Sequence, residues 1–552
     1  MSKDKYDRQT RLWGEGQLLI SSASILILNS DCLSSEILKN LVLSGIGFIT
    51  IVDNTLTSQT DLTDNFFVTQ SDIGKPRSKA ILSNLLELNP EDVKGEAFDV
   101  DIKQFIASND LSKYDVFISS NLDEDINNEL HLKAKALNKR LIIVKSNGLL
   151  NMMRLYENYH ANMNLRLLET PVNDNRLAMP WKELIEYSDS FNLDTMDEMY
   201  HSHVPYFIIL IKALQIYTKQ KQLNSNIPNN AYSFINPKTK QDKDEFKSII
   251  KSLIKYKDET NFQEALSSYY QCNFDKTNLL NDKMTYIFSI LDSTPLETLL
   301  SQSNTIMSIF FIYCKCLQEY YYENNRTFPL VGTIPDMTSD TQSYITLKRI
   351  YQSKAKEDQG KLLLKINEKV NTLNLPNKER ILSLINTPNP DNDGDIVSVL
   401  NKNWPQMSLF KYNDNYFNKK LDLDEFNEEF KITNLKWYLL FKANDVFYIR
   451  YKRNAGDCAH FQNDVNAFSD IVNEVVSSYV KEHDGNFLFE HIEHELIFEF
   501  CRNGGSKVVP CVSIIGSIAS QEVIKLVTYQ FETVNSVVVY DGVNVTLSNF
   551  TI

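Results

Sequence analysis

Between Ser24 and Val144 the chain alternates two hydrophobic periods, and few folds accommodate that alternation. Ser24-Ile25-Leu26-Ile27-Leu28 is a mostly apolar run of strand length, the pattern of a strand covered on both faces. Ile37, Leu38, Leu41 and Val42 then recur at helical spacing, and Phe48-Ile49-Thr50-Ile51-Val52 gives a second buried strand ending at Asp53. A helix is predicted from Ser78 to Leu88, a strand over Asp115-Val116-Phe117-Ile118, a helix from Asp125 to Ala136 and a strand over Leu141-Ile142-Ile143-Val144. Strands alternating with helices build a parallel sheet with helices on both faces. The fold class is therefore α/β, a doubly wound, Rossmann-like lobe of the nucleotide-binding kind.

At 552 residues the chain exceeds what one hydrophobic core supports, so two or more lobes are expected. From about Asp174 to His483 the texture becomes mainly helical, broken by loops such as Asn226-Ile227-Pro228-Asn229-Asn230 and the stretch from Thr387 to Gly394. A buried helix is predicted from Pro510 to Tyr529, followed by strands over Ser536–Tyr540 and Val545–Phe550. That ending reads as a return to the first lobe. The division is then 1–168 and 486–552 for the α/β lobe, with a large, mainly helical insertion over 169–485. No repeat of solenoid period is visible.

Composition narrows the class of partner. Hydrophobic residues at 43% and charged residues at 23% are those of a soluble globular protein. A net charge of −14 argues against non-specific nucleic-acid binding, which requires cations to neutralise phosphates. No apolar run reaches bilayer length, and Met-Ser-Lys-Asp-Lys-Tyr-Asp has no apolar leader segment, so no membrane partner and a cytoplasmic or nuclear location are expected. The seven cysteines include no CxxC pair, so they read as reduced thiols without a structural metal site.

The turn after the first strand is decisive. A nucleotide lobe needs glycines there, because phosphate must reach backbone amides at a helix N-terminus without meeting a Cβ atom. Here the turn reads Asn29-Ser30-Asp31-Cys32-Leu33-Ser34-Ser35-Glu36 and has no glycine. Asp31 also places a carboxylate where phosphate charge would sit. Asp53 is placed either to hold a ribose hydroxyl or to cap its own loop. The lobe is expected to bind ATP or NAD poorly or not at all.

A family resemblance rests on longer blocks. Tyr6-Asp7-Arg8-Gln9-Thr10-Arg11-Leu12-Trp13-Gly14, the stretch Ile37–Gly47, Ser71-Asp72-Ile73-Gly74-Lys75-Pro76-Arg77 and Ala519-Ser520-Gln521-Glu522-Val523-Ile524-Lys525 resemble the activating enzymes of ubiquitin-like proteins, whose adenylation lobe is ThiF-type. His201-Ser202-His203-Val204-Pro205 and Gly332-Thr333-Ile334-Pro335-Asp336-Met337 resemble the regulatory, catalytically silent branch that serves neddylation. The resemblance runs from Lys5 to about Phe550 and is weakest between about Pro228 and Phe328 and between Gly360 and Asp484.

Carried over position by position, the resemblance places the active members' phosphate-loop glycines on Asn29, Asp31, Cys32 and Ser34. Their loop arginine falls on Asp64, their phosphate lysine on Arg77, and their magnesium aspartate on or beside Asp123, while Asp53 is retained. It implies a heterodimer in which a catalytic subunit holds ATP and magnesium, adenylates the ubiquitin-like modifier and takes it on its own cysteine. This chain would bind no cofactor and have no catalytic residue of its own. Arg8 would reach the partner's nucleotide in trans, or, on local sequence, pair with Asp7 or Glu15. Contacts to the catalytic subunit are expected at Asp53, Leu56 and Asp61 and at Thr333, Ile334, Pro335, Asp336 and Met337.

Other readings stay open on the residues alone. One is the silent subunit of the sumoylation activating enzyme, another a stand-alone adenylating enzyme, a third a scaffold. Cys458, beside His460, is either a nucleophile or a loop thiol. His201 and His203 are metal ligands or partners in local hydrogen bonds before Pro205, and no third ligand is near.

Overall fold

The structure, a computed structural model, describes residues 5–14, 16–163, 176–177, 179–223, 234–272, 280–375, 377–386, 396–411, 428–456, 460–482, 489, 491–534 and 536–550. The chain divides into two compact units: Met1–Arg166 with Leu409–Ile552, and Leu167–Ser408.

The first unit opens with helices α1 (Asp7–Trp13) and α2 (Gly16–Ser22) and strand β1 (Ser24–Leu28). Helix α3 (Cys32–Leu43), β2 (Phe48–Val52), α4 (Asp61–Asp64), α5 (Arg77–Leu86), β3 (Lys94–Phe98), α6 (Ile102–Ser108), β4 (Val116–Ser120), α7 (Glu124–Leu137), β5 (Arg140–Asn147) and β6 (Leu150–Tyr156) follow. Two late strands, Val537–Asp541 and Thr546–Phe550, complete an eight-stranded sheet. From β3 the spatial order is β3, β2, β1, β4, β5, β6, Val537–Asp541, Thr546–Phe550. The five strands β3 to β5 are parallel, with Ser24 beside Phe48 and Ile25 beside Val116; the last three are antiparallel.

Alternation within β1 shows why this sequence makes a double-sided sheet. Ile25 and Ile27 join the core under α3 and α5, whereas Leu26 and Leu28 join the core under α6 and α7. The chain order reverses between β1 and β4, so their carboxyl ends form the crevice where this fold holds ligands. Helix α3 ends at Leu43 with Ser44 as its cap, and Gly45 follows at φ +80°, where a Cβ would lie 2.6 Å from the Tyr6 hydroxyl. That left-handed turn fits glycine alone.

The helices after Leu409 belong to this unit. Glu429–Tyr451, Phe461–Glu482 and His494–Asn503 bury Leu435, Leu439, Phe468 and Phe500 with Met152, Val539 and Phe550. The Trp437 indole donates to Asp541 at 2.9 Å. The boundary drawn at 485 therefore differs from the compact division at 408/409, because these apolar faces cover the antiparallel half of the sheet. Contrary to the expectation that no apolar run reaches bilayer length, helix Val509–Thr528 is long and apolar enough to cross a membrane by length and composition, and two thirds of that stretch is buried, as in the core helix of a globular unit. It packs on α3, β5 and β6.

The second unit is helical among its described residues. Tyr206–Leu223, Thr305–Glu323 and the 32-residue helix Thr341–Thr372 are its longest elements. Phe207, Ile211, Phe246, Phe262 and Tyr351 form its core. The His201 imidazole pairs with Glu259 and stacks on Phe262 at 5.1 Å, while His203 Nδ1 lies 2.7 Å from the Met199 carbonyl. No group of three or more His, Cys, Asp or Glu side chains among the described residues is placed to hold a metal.

Candidate nucleotide site

Asn29 leaves β1 at φ +77°, and Asp31 caps α3. The Asp31 carboxylate takes the place that an incoming anion would need: Oδ1 accepts from the Ser34 N–H at 3.0 Å and from the Ser120 hydroxyl at 2.7 Å. Its Oδ2 accepts from Asn121 Nδ2 at 2.7 Å and from Lys507 Nζ at 2.8 Å. Burial opposes ionisation of Asp31, but the Lys507 ammonium and the Asn121 and Ser34 donors hold its carboxyl well below the usual range. A helix N-terminus attracts anions, and here the chain supplies its own.

Arg77 closes the other side. Its side chain is 12% exposed. Nη2 donates to Asp53 Oδ2 at 2.8 Å and to Asn29 Oδ1 at 2.8 Å, Nη1 to Asp61 Oδ1 at 3.0 Å, and Nε to Ser30 Oγ at 3.2 Å. Pro76 precedes α5 at φ −54° and sets Arg77 as its first residue. Asp53 also accepts from the Ser30 hydroxyl and from the Thr55 N–H, so this carboxylate caps its own loop. Asp64, half-buried, faces the same turn, and burial raises its carboxyl, with Asp61 and Asp31 adding to the effect against Lys507.

The residues present do not fit a nucleoside triphosphate. Asp31, Asp53, Asp61 and Asp64 gather around the turn against Arg77 and Lys507, and the Arg77 guanidinium is already engaged by two carboxylates. Asp123 is placed differently: it caps α7, its Oδ1 accepting from the Ile126 N–H at 3.0 Å, and it lines a cavity beside Lys145 and Lys507. Two nearby ammonium groups disfavour magnesium there. Cys32 is buried, and burial, reinforced by Asp31 and Asp64, pushes its thiol up to about 12. Cys501 is likewise pushed up to about 12 by burial, and Cys314, Cys316 and Cys511 are raised for the same reason. None of these is an activated nucleophile. Cys458 lies outside the described residues.

Arg8 is exposed on α1 and pairs with no described residue. Asp7 instead pairs with Arg11 at 2.8 Å, and Glu15 lies outside the described residues. Of the expected partner contacts, Leu56 is exposed, whereas Asp53 and Asp61 are buried and engaged with Arg77, which withdraws their carboxylates from the surface. In the second unit Thr333 and Asp336 are exposed, and Pro335 and Met337 are half-buried. Ile334 is buried in that unit's own core, so its side chain is not a surface contact.

The sequence reading missed two features. Lys507 lies 476 residues from Asp31, and nothing local in the sequence links them. Phe66 is 86% exposed, the solvent-facing member of an adjacent pair of phenylalanines whose other member, Phe67, is core. A paired aromatic in a polar loop was the available signal.

The ThiF family model matches residues 6–552. The NEDD8-activating enzyme E1 regulatory subunit AXL of Arabidopsis thaliana is 30% identical over 554 residues, covering 98% of each chain. The NEDD8-activating enzyme E1 regulatory subunit of Caenorhabditis elegans is 30% identical over 565 residues, covering 98% of this chain and 97% of that one. The Gallus gallus NEDD8-activating enzyme E1 regulatory subunit is 29% identical over 570 residues, covering 100% and 98%. With a self-filled turn inside a full-length match of this kind, the chain belongs to the ThiF family and, within it, to the NEDD8-activating enzyme E1 regulatory subunits.

Proposed function

We propose that this chain is the non-catalytic half of a heterodimeric enzyme that activates a NEDD8-type ubiquitin-like modifier. The partner subunit holds ATP and magnesium, adenylates the modifier's C-terminus and takes it onto its own cysteine. This chain holds no nucleotide, works in the cytoplasm or nucleus, and supplies the second α/β lobe of the pair.

The observation that carries the reading is the Asp31 carboxylate on the α3 N-terminus. It satisfies the Ser34 N–H that phosphate would otherwise meet, and Lys507 neutralises it from within. Displacing Asp31 by a triphosphate would leave a buried carboxylate and ammonium to be rearranged, which costs several kcal/mol in order of magnitude. Arg8, free on the surface, is the group this lobe offers in trans to charge developing on the partner's phosphates. Leu56 and Phe66 are its exposed apolar contacts with the partner.

ATP–pyrophosphate exchange tests this directly. The purified chain should show none with any modifier, and exchange should appear when the catalytic subunit is added. Robust exchange by this chain alone would refute the proposal.

A further inference from the structure

At the carboxyl ends of β1, β4 and β5 the first unit holds a cavity of about 350 Å³, whose lining includes Asn29 and Lys507 but neither Asp53 nor Asp61. Its volume is within the range of small-molecule sites. Four of its lining groups carry formal charge: Lys145, Lys507, Asp123 and Asp445.

Each of these groups has hydrogen-bonding capacity left over. Lys145 Nζ meets Asp445 Oδ1, and Lys507 Nζ meets Asp31 Oδ2 at 2.8 Å. An ammonium carries three donors, so each lysine has two more. Asp123 uses Oδ1 to cap α7, which leaves its second oxygen, and Asp445 likewise has Oδ2. Asn454 Nδ2 and the Tyr448 hydroxyl, also in the lining, donate to no described residue. Lys145 and Asp445 are both buried, and unspent donors and acceptors on buried charges are costly unless something polar meets them.

The charges exclude most ligand classes. A polyphosphate meets Asp123 and Asp445, and a bare cation meets two ammonium groups. A ligand with both signs on adjacent atoms satisfies all four. We infer that this cavity binds a small zwitterion of the amino-acid type, its carboxylate on Lys145 and Lys507 and its ammonium on Asp123 and Asp445. The site is independent of the heterodimer reading, since all of its groups lie in one unit of this chain.

Isothermal titration calorimetry of the full-length chain tests it. Serine, asparagine and glutamine serve as zwitterions, malonate as an anion without an ammonium, ethanolamine as a cation without a carboxylate, and ATP as the nucleotide. At least one of the three amino acids should bind saturably at one site, at least about tenfold more tightly than malonate or ethanolamine. The double variant Lys145→Met/Asp445→Leu replaces a buried ion pair with apolar groups of similar size, a change folds tolerate, and it should abolish that binding. Asp123→Asn keeps the helix cap and should weaken the amino acid about tenfold while strengthening malonate. The inference is overturned if no amino acid binds, if malonate or ATP binds as tightly, or if the double variant binds like the parent chain. Pyrophosphate exchange remains the separate readout for the activating-enzyme reading.

Discussion

Lys507 and Asp31 lie 476 residues apart in the chain and 2.8 Å apart in space. The ion pair joins the segment before helix Val509–Thr528 to the first turn of the sheet. It couples the late return of the chain to the place where a nucleotide lobe normally receives phosphate. The same pair thus ties two distant segments together and fills the helix N-terminus with the chain's own carboxylate.

Removing both members should cost less than the sum of removing each. Lys507→Met leaves the buried Asp31 carboxylate without its cation and should destabilise the first unit by about 3–5 kcal/mol. Asp31→Asn keeps the cap on Ser34 and loses less. In the double variant the two penalties should fall short of additivity by ~1 kcal/mol or more. Urea unfolding of the three variants measures this, and strict additivity would show that the two side chains do not interact.

The pair also fixes the direction of a pH dependence. The folded Asp31 carboxyl lies below the ordinary carboxylate value, because Lys507 and its donors outweigh burial. A depressed carboxyl binds fewer protons folded than unfolded, so its stabilisation is complete above the unfolded value of about 4 and declines as pH falls below it. Denaturant midpoints between pH 7 and pH 3 should drop for the parent chain and drop less for Asp31→Asn. Equal slopes would remove Asp31 from the acid sensitivity.

Gly332 makes a local demand in the second unit. It sits at φ +85°, and a Cβ there would lie 2.6 Å from Ala355 Cβ on the long helix Thr341–Thr372. Gly332→Ala should therefore cost about 1–3 kcal/mol through backbone strain and overlap. A lowered melting temperature with the far-ultraviolet spectrum retained is the expected result. An unchanged melting temperature would mean that the turn yields without strain.

Arg8 should matter only in the assembled enzyme. With no partner among the described residues, Arg8→Ala should leave this chain's unfolding midpoint unchanged. If it supplies charge in trans, adenylation by the heterodimer should fall by about 10²-fold or more while assembly is retained. An unchanged rate would reduce the chain to a scaffold.

The strands and helices of the parallel half were legible because both periods are written into short windows. Ile25 and Ile27 face one layer and Leu26 and Leu28 the other, which alternation alone conveys. Strand β3, Lys-Gly-Glu-Ala-Phe at the sheet edge, was not legible, since a partly exposed strand carries no apolar run. The missing glycines around Asp31 were visible, but their consequence depended on Lys507, Ser120 and Asn121, which only the sheet order brings together. Asp61 reads in the sequence as a contact with the catalytic subunit; its pairing with Arg77 depends on where α5 starts after Pro76, a three-dimensional fact.

Phe66 offers the sharpest test of how the chain meets its catalytic subunit. Its ring is 86% exposed, yet the loop beneath it is fixed: Asn65 Nδ2 donates to Ser35 Oγ at 3.0 Å, Asn65 Oδ1 accepts from the Phe67 N–H at 3.1 Å, and Phe67 is core. An aromatic carried on a loop that is already fixed costs little backbone entropy on docking, which is the character of an interface anchor. Phe66→Asp should raise the heterodimer dissociation constant by about 30-fold or more, equivalent to about 2 kcal/mol. Its own stability should not change, because a ring already in water gives up little burial. Analytical ultracentrifugation of the mixed subunits reads the first quantity and thermal unfolding the second. Full-strength assembly by Phe66→Asp would place the partner on another face of the lobe.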